Sequence, residues 1–133
     1  MSATVVDTHG AVWYLLESED LSPNALAFLD EATQAGDLVY VSPISVVEVV
    51  YLVEKGRLPE VALERLSGAL ADPEAAFVLA PLDLAIAQTV RRIPRDVVPD
   101  MPDRIIAATA LHLNLPLVTR DRDIRAAGIE TLW

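Results

Sequence analysis

Five short apolar runs, each separated from the next by a stretch carrying helix start and stop signals, constrain this chain more than any other feature. Thr4-Val5-Val6 is β-branched, stops at Asp7 and reads as the first strand. Asp37–Val41, Ala76–Leu79, Leu115–Thr119 and Ile129–Leu132 read as the strands that follow. Ser22-Pro23 and Ser42-Pro43 each pair an N-cap residue with proline at the first helical position, where a missing N–H costs nothing. The helix opened by the first pair spans Pro23 to Ala35 and ends at Gly36; that opened by the second runs to about Lys55, before Gly56. Another follows Pro59 and ends near Asp72-Pro73, Asp83 caps one that Pro94 closes, and Arg95 to Met101 is a loop. Pro102 then opens a helix through about Leu113, with Asn114 as a left-handed cap, and a short helix spans about Asp123 to Ala127. Strands alternating with helices predict one α/β domain over residues 1–133, a central parallel sheet of four or five strands flanked by helices.

Composition narrows the chemistry. Hydrophobic residues are 53% of the chain, enough for a packed core. No run approaches the roughly 18 apolar residues of a membrane span, and no basic segment followed by an apolar stretch marks a secretory signal. A cytoplasmic protein without a membrane partner is the expectation. With no cysteine there is no disulfide, thiolate nucleophile or thiolate metal site.

The formal charge of −10 argues against a polyanionic partner until its distribution is read. Residues 1–90 hold 14 acids and three bases, whereas residues 91–133 hold six acids and seven arginines. A local basic rim on an acidic body follows, arginine being the residue that grips phosphate in a fork. Two Trp, three Tyr and two Phe are few, so a base-stacking platform is not expected.

Ligands of an open parallel sheet gather beyond the carboxyl ends of its strands. Asp7 ends the first strand, Asp121 lies just past the fourth, and Asp103 sits in the first turn of the preceding helix. Each alone has an ordinary account, since acids are common after strands and interact well with a helix N-terminus. Glu48 is harder to explain so. It interrupts the apolar run Ile44 to Val53 and shares a helix face with Ile44, Tyr51 and Leu52. A carboxylate there loses several kcal/mol of hydration unless a cation or donors compensate. The competing account is a capping box, Ser45-x-x-Glu48, which conflicts with the Ser42-Pro43 start. Converging carboxylates need a cation between them, and oxygen-only ligands suit Mg2+ or Mn2+. His9 fits packing beside the acids better than ligation, and His112 compensates a helix end.

These segments, VVDTHGAVWYLL, SPISVVEVVYLVEKGRL and above all DMPDRIIAATALHLNLPLVTRDRDI, resemble the PIN-domain nucleases, in particular the VapC-type toxins of toxin–antitoxin pairs. The resemblance covers almost the whole chain. It implies that Asp7, Glu48, Asp103 and Asp121 are the catalytic, metal-binding acids, that Thr8 and Thr119 support them by hydrogen bonding, and that Asp100 and Asp123 are secondary acids. It further implies endonucleolytic cleavage of an RNA substrate, a cognate antitoxin with a basic tail, and a homodimer. Val98 stands where related sequences often carry histidine. Arg104, Arg120 and Arg122 are candidates to contact RNA phosphates, salt bridges to the neighbouring acids being an equal account. A catalytically silent PIN-fold module that binds RNA or protein is the rival reading. A receiver domain would need a late lysine, where the only lysine is Lys55, and a haloacid-dehalogenase-type phosphatase would need Asp-x-Asp where Asp7-Thr8-His9 stands.

Overall fold

In the computed structural model, which describes residues 3–133, the chain forms five strands and seven α-helices. The strands are β1 (Thr4–Val6), β2 (Val39–Val41), β3 (Phe77–Leu79), β4 (Leu117–Val118) and β5 (Thr131–Leu132). They make one sheet in the order β3-β2-β1-β4-β5, and every pairing is parallel. Parallel neighbours need crossovers, which the helices supply: α1 (Thr8–Leu15), α2 (Pro23–Ala35), α3 (Pro43–Glu54), α4 (Glu60–Ala71), α5 (Leu84–Thr89), α6 (Met101–Leu113) and α7 (Asp123–Ala126).

Side-chain alternation divides the core between the two faces of the sheet. Val6 and Val118 join Leu29, Val49 and Leu66 on the face covered by α1 to α4. Val5 and Leu117, each one residue earlier, join Ile86, Ile106 and Ile124 on the face covered by α5 to α7. Val98 is buried in this second cluster and serves as a core residue.

Most expected elements form, with differences that have local causes. The Ser22 and Ser42 hydroxyls cap α2 and α3, accepting from Ala25 N and Ile44 N, and Asn114 ends α6 in the left-handed conformation at φ 55°. The helix placed at Pro102 starts one residue earlier, because Asp100 caps it by accepting from Asp103 N. The stretch closed by Pro94 is α5 followed by a 3-10 turn over Val90–Arg92. The second to fifth strands are shorter than expected, although the Leu38, Ala76, Pro116 and Glu130 carbonyls just outside them still accept from Thr4, Val39, Val5 and Leu117 N. One helix, α1, carries no strong signal of its own in the sequence. It forms where Asp7 caps it and Ala11 and Val12 are buried.

The sheet order fixes where a site belongs. From β1 the chain builds β2 and β3 to one side, then returns to build β4 and β5 on the other. The carboxyl ends of β1 and β4 therefore adjoin at the point where the order reverses, which opens a crevice above them. No helix among the described residues is long and apolar enough to cross a membrane.

Candidate functional site

The crevice is built around two hydroxyl–carboxylate pairs. Asp7 leaves β1 and caps α1, its Oδ1 accepting from Gly10 N at 2.8 Å and its Oδ2 from the Thr119 hydroxyl at 2.6 Å. Thr119, at the end of β4, also accepts from Asp121 N at 3.0 Å, so one buried hydroxyl ties together the two acids that follow adjacent strands. A β-carbon at Gly10 would stand 2.8 Å from Asp7 Oδ1 and 2.9 Å from Val6 Cγ2, inside contact distance of both. Glycine is required there for the Asp7 carboxylate to lie against the helix start.

On the other side, the Thr8 hydroxyl bonds to Glu48 Oε1 at 2.5 Å and to Ser45 Oγ at 2.9 Å. This excludes the capping-box account of Glu48: Ser42 caps α3, Ser45 lies fully buried within it, and the Glu48 side chain turns to α1 instead. Thr8 and Thr119 thus hold Glu48 and Asp7 respectively. Among the described residues no buried side-chain polar atom lacks a partner, so this network is complete.

Asp7, Asp103 and Asp121 line one cavity of about 200 Å3 together with His9, Trp13, Arg120 and Trp133. Glu48 lines a separate, more apolar groove of about 340 Å3 with Ile44, Val47, Tyr51 and Met101, yet its field reaches Asp103. Burial pushes the Asp7 carboxyl up; the Thr119 and Gly10 hydrogen bonds pull it down, and Asp121 adds repulsion. Burial likewise raises Glu48, opposed by Thr8 and reinforced by Asp100 and Asp7. Asp103 is pushed up to about 7, first by burial and then by Asp100, Glu48, Asp121 and Asp7 in turn. Three carboxyls held toward their protonated forms, by burial first and by neighbouring acids after it, are what a divalent cation would relieve.

The donor set fits a hard cation: every candidate ligand is a carboxylate oxygen, and there is no cysteine. Among the described residues no three His, Asp or Glu side chains are gathered closely enough to enclose an ion as they stand. Mg2+ does not require such a cage, because it usually keeps several waters and takes one or two carboxylates together with substrate phosphate.

The remaining candidates separate. Asp100 is the α6 cap and contributes repulsion to Asp103 and Glu48. Asp123 is exposed at the start of α7, its backbone N donating to Asp121 Oδ1 at 2.9 Å. Arg104 is corrected as a phosphate contact: its Nε donates to the Ile93 carbonyl at 3.1 Å, and its Nη2 to those of Val90 at 2.9 Å and Ile93 at 2.8 Å. It adds donors to the turn after α5, where the Val90 carbonyl also accepts from Ile93 N at 3.0 Å. Arg120 and Arg122 are exposed near Asp121, and with Arg125 they line a second cavity of about 270 Å3. Sequence reading took Ser45 only as a possible cap and gave Gly10 no role, since the closeness of Gly10 to Asp7 Oδ1 and Val6 shows only in the fold.

A family profile described as the PIN domain matches residues 4–130. The curated relative Ribonuclease VapC22 of Mycobacterium tuberculosis is 31% identical over 128 residues, 95% of this chain and 92% of that one. Among solved structures, a chain of VapBC2 from Rickettsia felis, crystallised with a fragment of its promoter DNA, superposes with a TM-score of 0.72 at 16% identity. That match covers 98% of this chain and 99% of the other. FitAcB from Neisseria gonorrhoeae superposes with a TM-score of 0.63 at 23% identity, over 96% of this chain and 95% of its own. At such identities the two structures speak for the fold.

Proposed function

The chain belongs to the PIN-domain family, and from that membership we propose that it is a metal-dependent endoribonuclease, the toxin of a type II toxin–antitoxin pair. The observation that carries this reading is the cavity that Asp7, pinned by Thr119, shares with Asp103 and Asp121, while Glu48, pinned by Thr8 in its own groove, acts on Asp103 through its charge. A structural acid is neutralised by its surroundings. These acids are oriented by hydroxyls and left to repel one another.

Asp7, Glu48, Asp103 and Asp121 are the residues that would hold Mg2+ or Mn2+. Such an ion supplies an acidified water and offsets charge developing on the scissile phosphate. Thr119 and Thr8 fix the direction of Asp7 and Glu48 before substrate arrives, so that little reorganisation accompanies binding. Asp100 adds negative field at Asp103 and would favour a cation at that end of the site. Arg120 and Arg122, exposed near Asp121, would take the flanking phosphates of an RNA strand. No side-chain nucleophile is needed, which agrees with a chain that has no cysteine.

A net charge of −10 favours a basic antitoxin tail as the partner that covers the acids. Support for a homodimer comes from Val47, Tyr51 and Met101, which are 48%, 58% and 63% exposed and together form an apolar surface beside Glu48. A place in the cytoplasm goes with an RNA substrate.

The test is cleavage of total cellular RNA by purified chain freed of any bound partner, with Mn2+, Mg2+ or EDTA. Discrete fragments with either metal and none with EDTA are expected. RNA bound tightly but never cut would instead leave the catalytically silent module.

A further inference from the structure

We propose that Trp13 and Trp133, with His9 and Arg120, form a subsite that stacks an unpaired nucleobase next to the phosphodiester the acids would cleave. This deepens the ribonuclease reading and rests on it. The composition alone argues otherwise, since aromatics are few. The fold brings both tryptophans of the chain into the cavity that Asp7, Asp103 and Asp121 line.

The geometry is that of a wedge of tilted rings in contact with one another. The ring centroids of His9 and Trp13 are 5.3 Å apart with planes inclined at 49°, and those of Trp13 and Trp133 are 5.9 Å apart at 59°. Rings so placed touch one another, which orders the cluster in advance and leaves for a base the side that Trp13 and Trp133 turn to the cavity. The Arg120 guanidinium carbon lies 5.0 Å from the Trp13 ring centroid. A ring face that accepts this flat cation accepts a flat base as well, and a guanidinium plane is itself a stacking partner for bases. Arg120, Asp121 and Trp133 are also common walls to the second cavity, which Arg122 and Arg125 make basic. The acids would take the scissile phosphate, the aromatic wedge the adjoining base, and the arginines the next phosphate. Only a base free of its pairing partner exposes both faces and edges to such a wedge, so the substrate class is single-stranded or looped RNA.

Both tryptophans of the chain lie in the subsite, so intrinsic fluorescence reports on it directly. The full-length protein is titrated with short oligouridylate and with an abasic ribose-phosphate oligomer of equal length. Ca2+ replaces Mg2+, neutralising the acids with a more flexible geometry. We expect the oligouridylate to perturb the fluorescence and to bind roughly tenfold more tightly than the abasic strand. Trp13→Leu should remove most of that difference and Trp13→Phe should restore it; Trp133→Leu serves if Trp13→Leu does not fold. Equal affinity for both oligomers, or a perturbation produced by a basic peptide and not by RNA, overturns the subsite. The ribonuclease reading is judged separately, by whether unsubstituted protein cuts RNA with Mg2+.

Discussion

Asp7 and Asp103 face the same cavity, yet the protein treats them in opposite ways. Asp7 receives two hydrogen bonds, from a backbone N–H and a threonine hydroxyl, which counter the effect of its burial. Burial raises Asp103 first and four acids raise it further, to about 7, while among the described residues nothing donates to its carboxylate. The difference teaches that one acid is built to be held in place by the protein and the other to be completed by something that binds. Strand ends and a helix cap give Asp7 its donors; the first turn of α6 gives Asp103 only position.

The largest effect should come from breaking the held acid. Asp7→Asn should lower metal-dependent RNA cleavage by on the order of a thousandfold, while circular dichroism stays unchanged because asparagine still caps α1. Activity within a few-fold of the unsubstituted protein would remove Asp7 from the mechanism. Next is the hydroxyl that orients it. Thr119→Val keeps the shape and removes the donor to Asp7 and the acceptor for Asp121 N, so apparent metal affinity, read by titrating Mn2+ in the cleavage assay, should weaken by roughly 10- to 100-fold.

Gly10→Ala sharpens the comparison from the packing side. Its methyl group collides with Asp7 and Val6, so urea unfolding should show a loss of about 1–3 kcal/mol. Unchanged stability would mean that the Asp7 carboxylate moves aside freely and is not held at all.

The smallest effect concerns Asp103 without metal. An aspartate titrates near 3.9 when unfolded, and here near 7 when folded, so the folded state holds its proton more tightly. The stability this contributes is full below about pH 4 and is lost as pH rises through 7. Asp103→Asn cannot titrate there. Its metal-free Tm should therefore gain on that of the unsubstituted protein by a few degrees between pH 5 and pH 8, and saturating Mg2+ should shrink the gap. Parallel Tm curves across that range would show that Asp103 is not under the repulsion described.

Much of this was legible before any coordinates. The Ser-Pro caps fixed where α2 and α3 begin, and the acids at strand ends marked one rim of a parallel sheet. Glu48 stood out because an acid within an apolar helix needs a reason. Other features were not legible. Helix α1 begins with Thr8, His9 and Gly10, poor helix formers whose start depends on the Asp7 cap and on burial of Ala11 and Val12. Arg104 adjoins Asp103 in sequence and read as a phosphate contact, but its side chain turns to carbonyls at residues 90 and 93.

What the sequence determined by itself is local: turn chemistry, capping, the period of burial and the number of acids that needed an explanation, all set by interactions within a few residues. What only the tertiary structure decided is which distant groups meet. Thr119 reaches Asp7, Thr8 reaches Glu48, and Trp133 reaches Trp13 because parallel pairing of β1 with β4, and packing of α1 on α3, bring far segments of chain together. Residue type announces what a side chain can do, but its partners follow from packing.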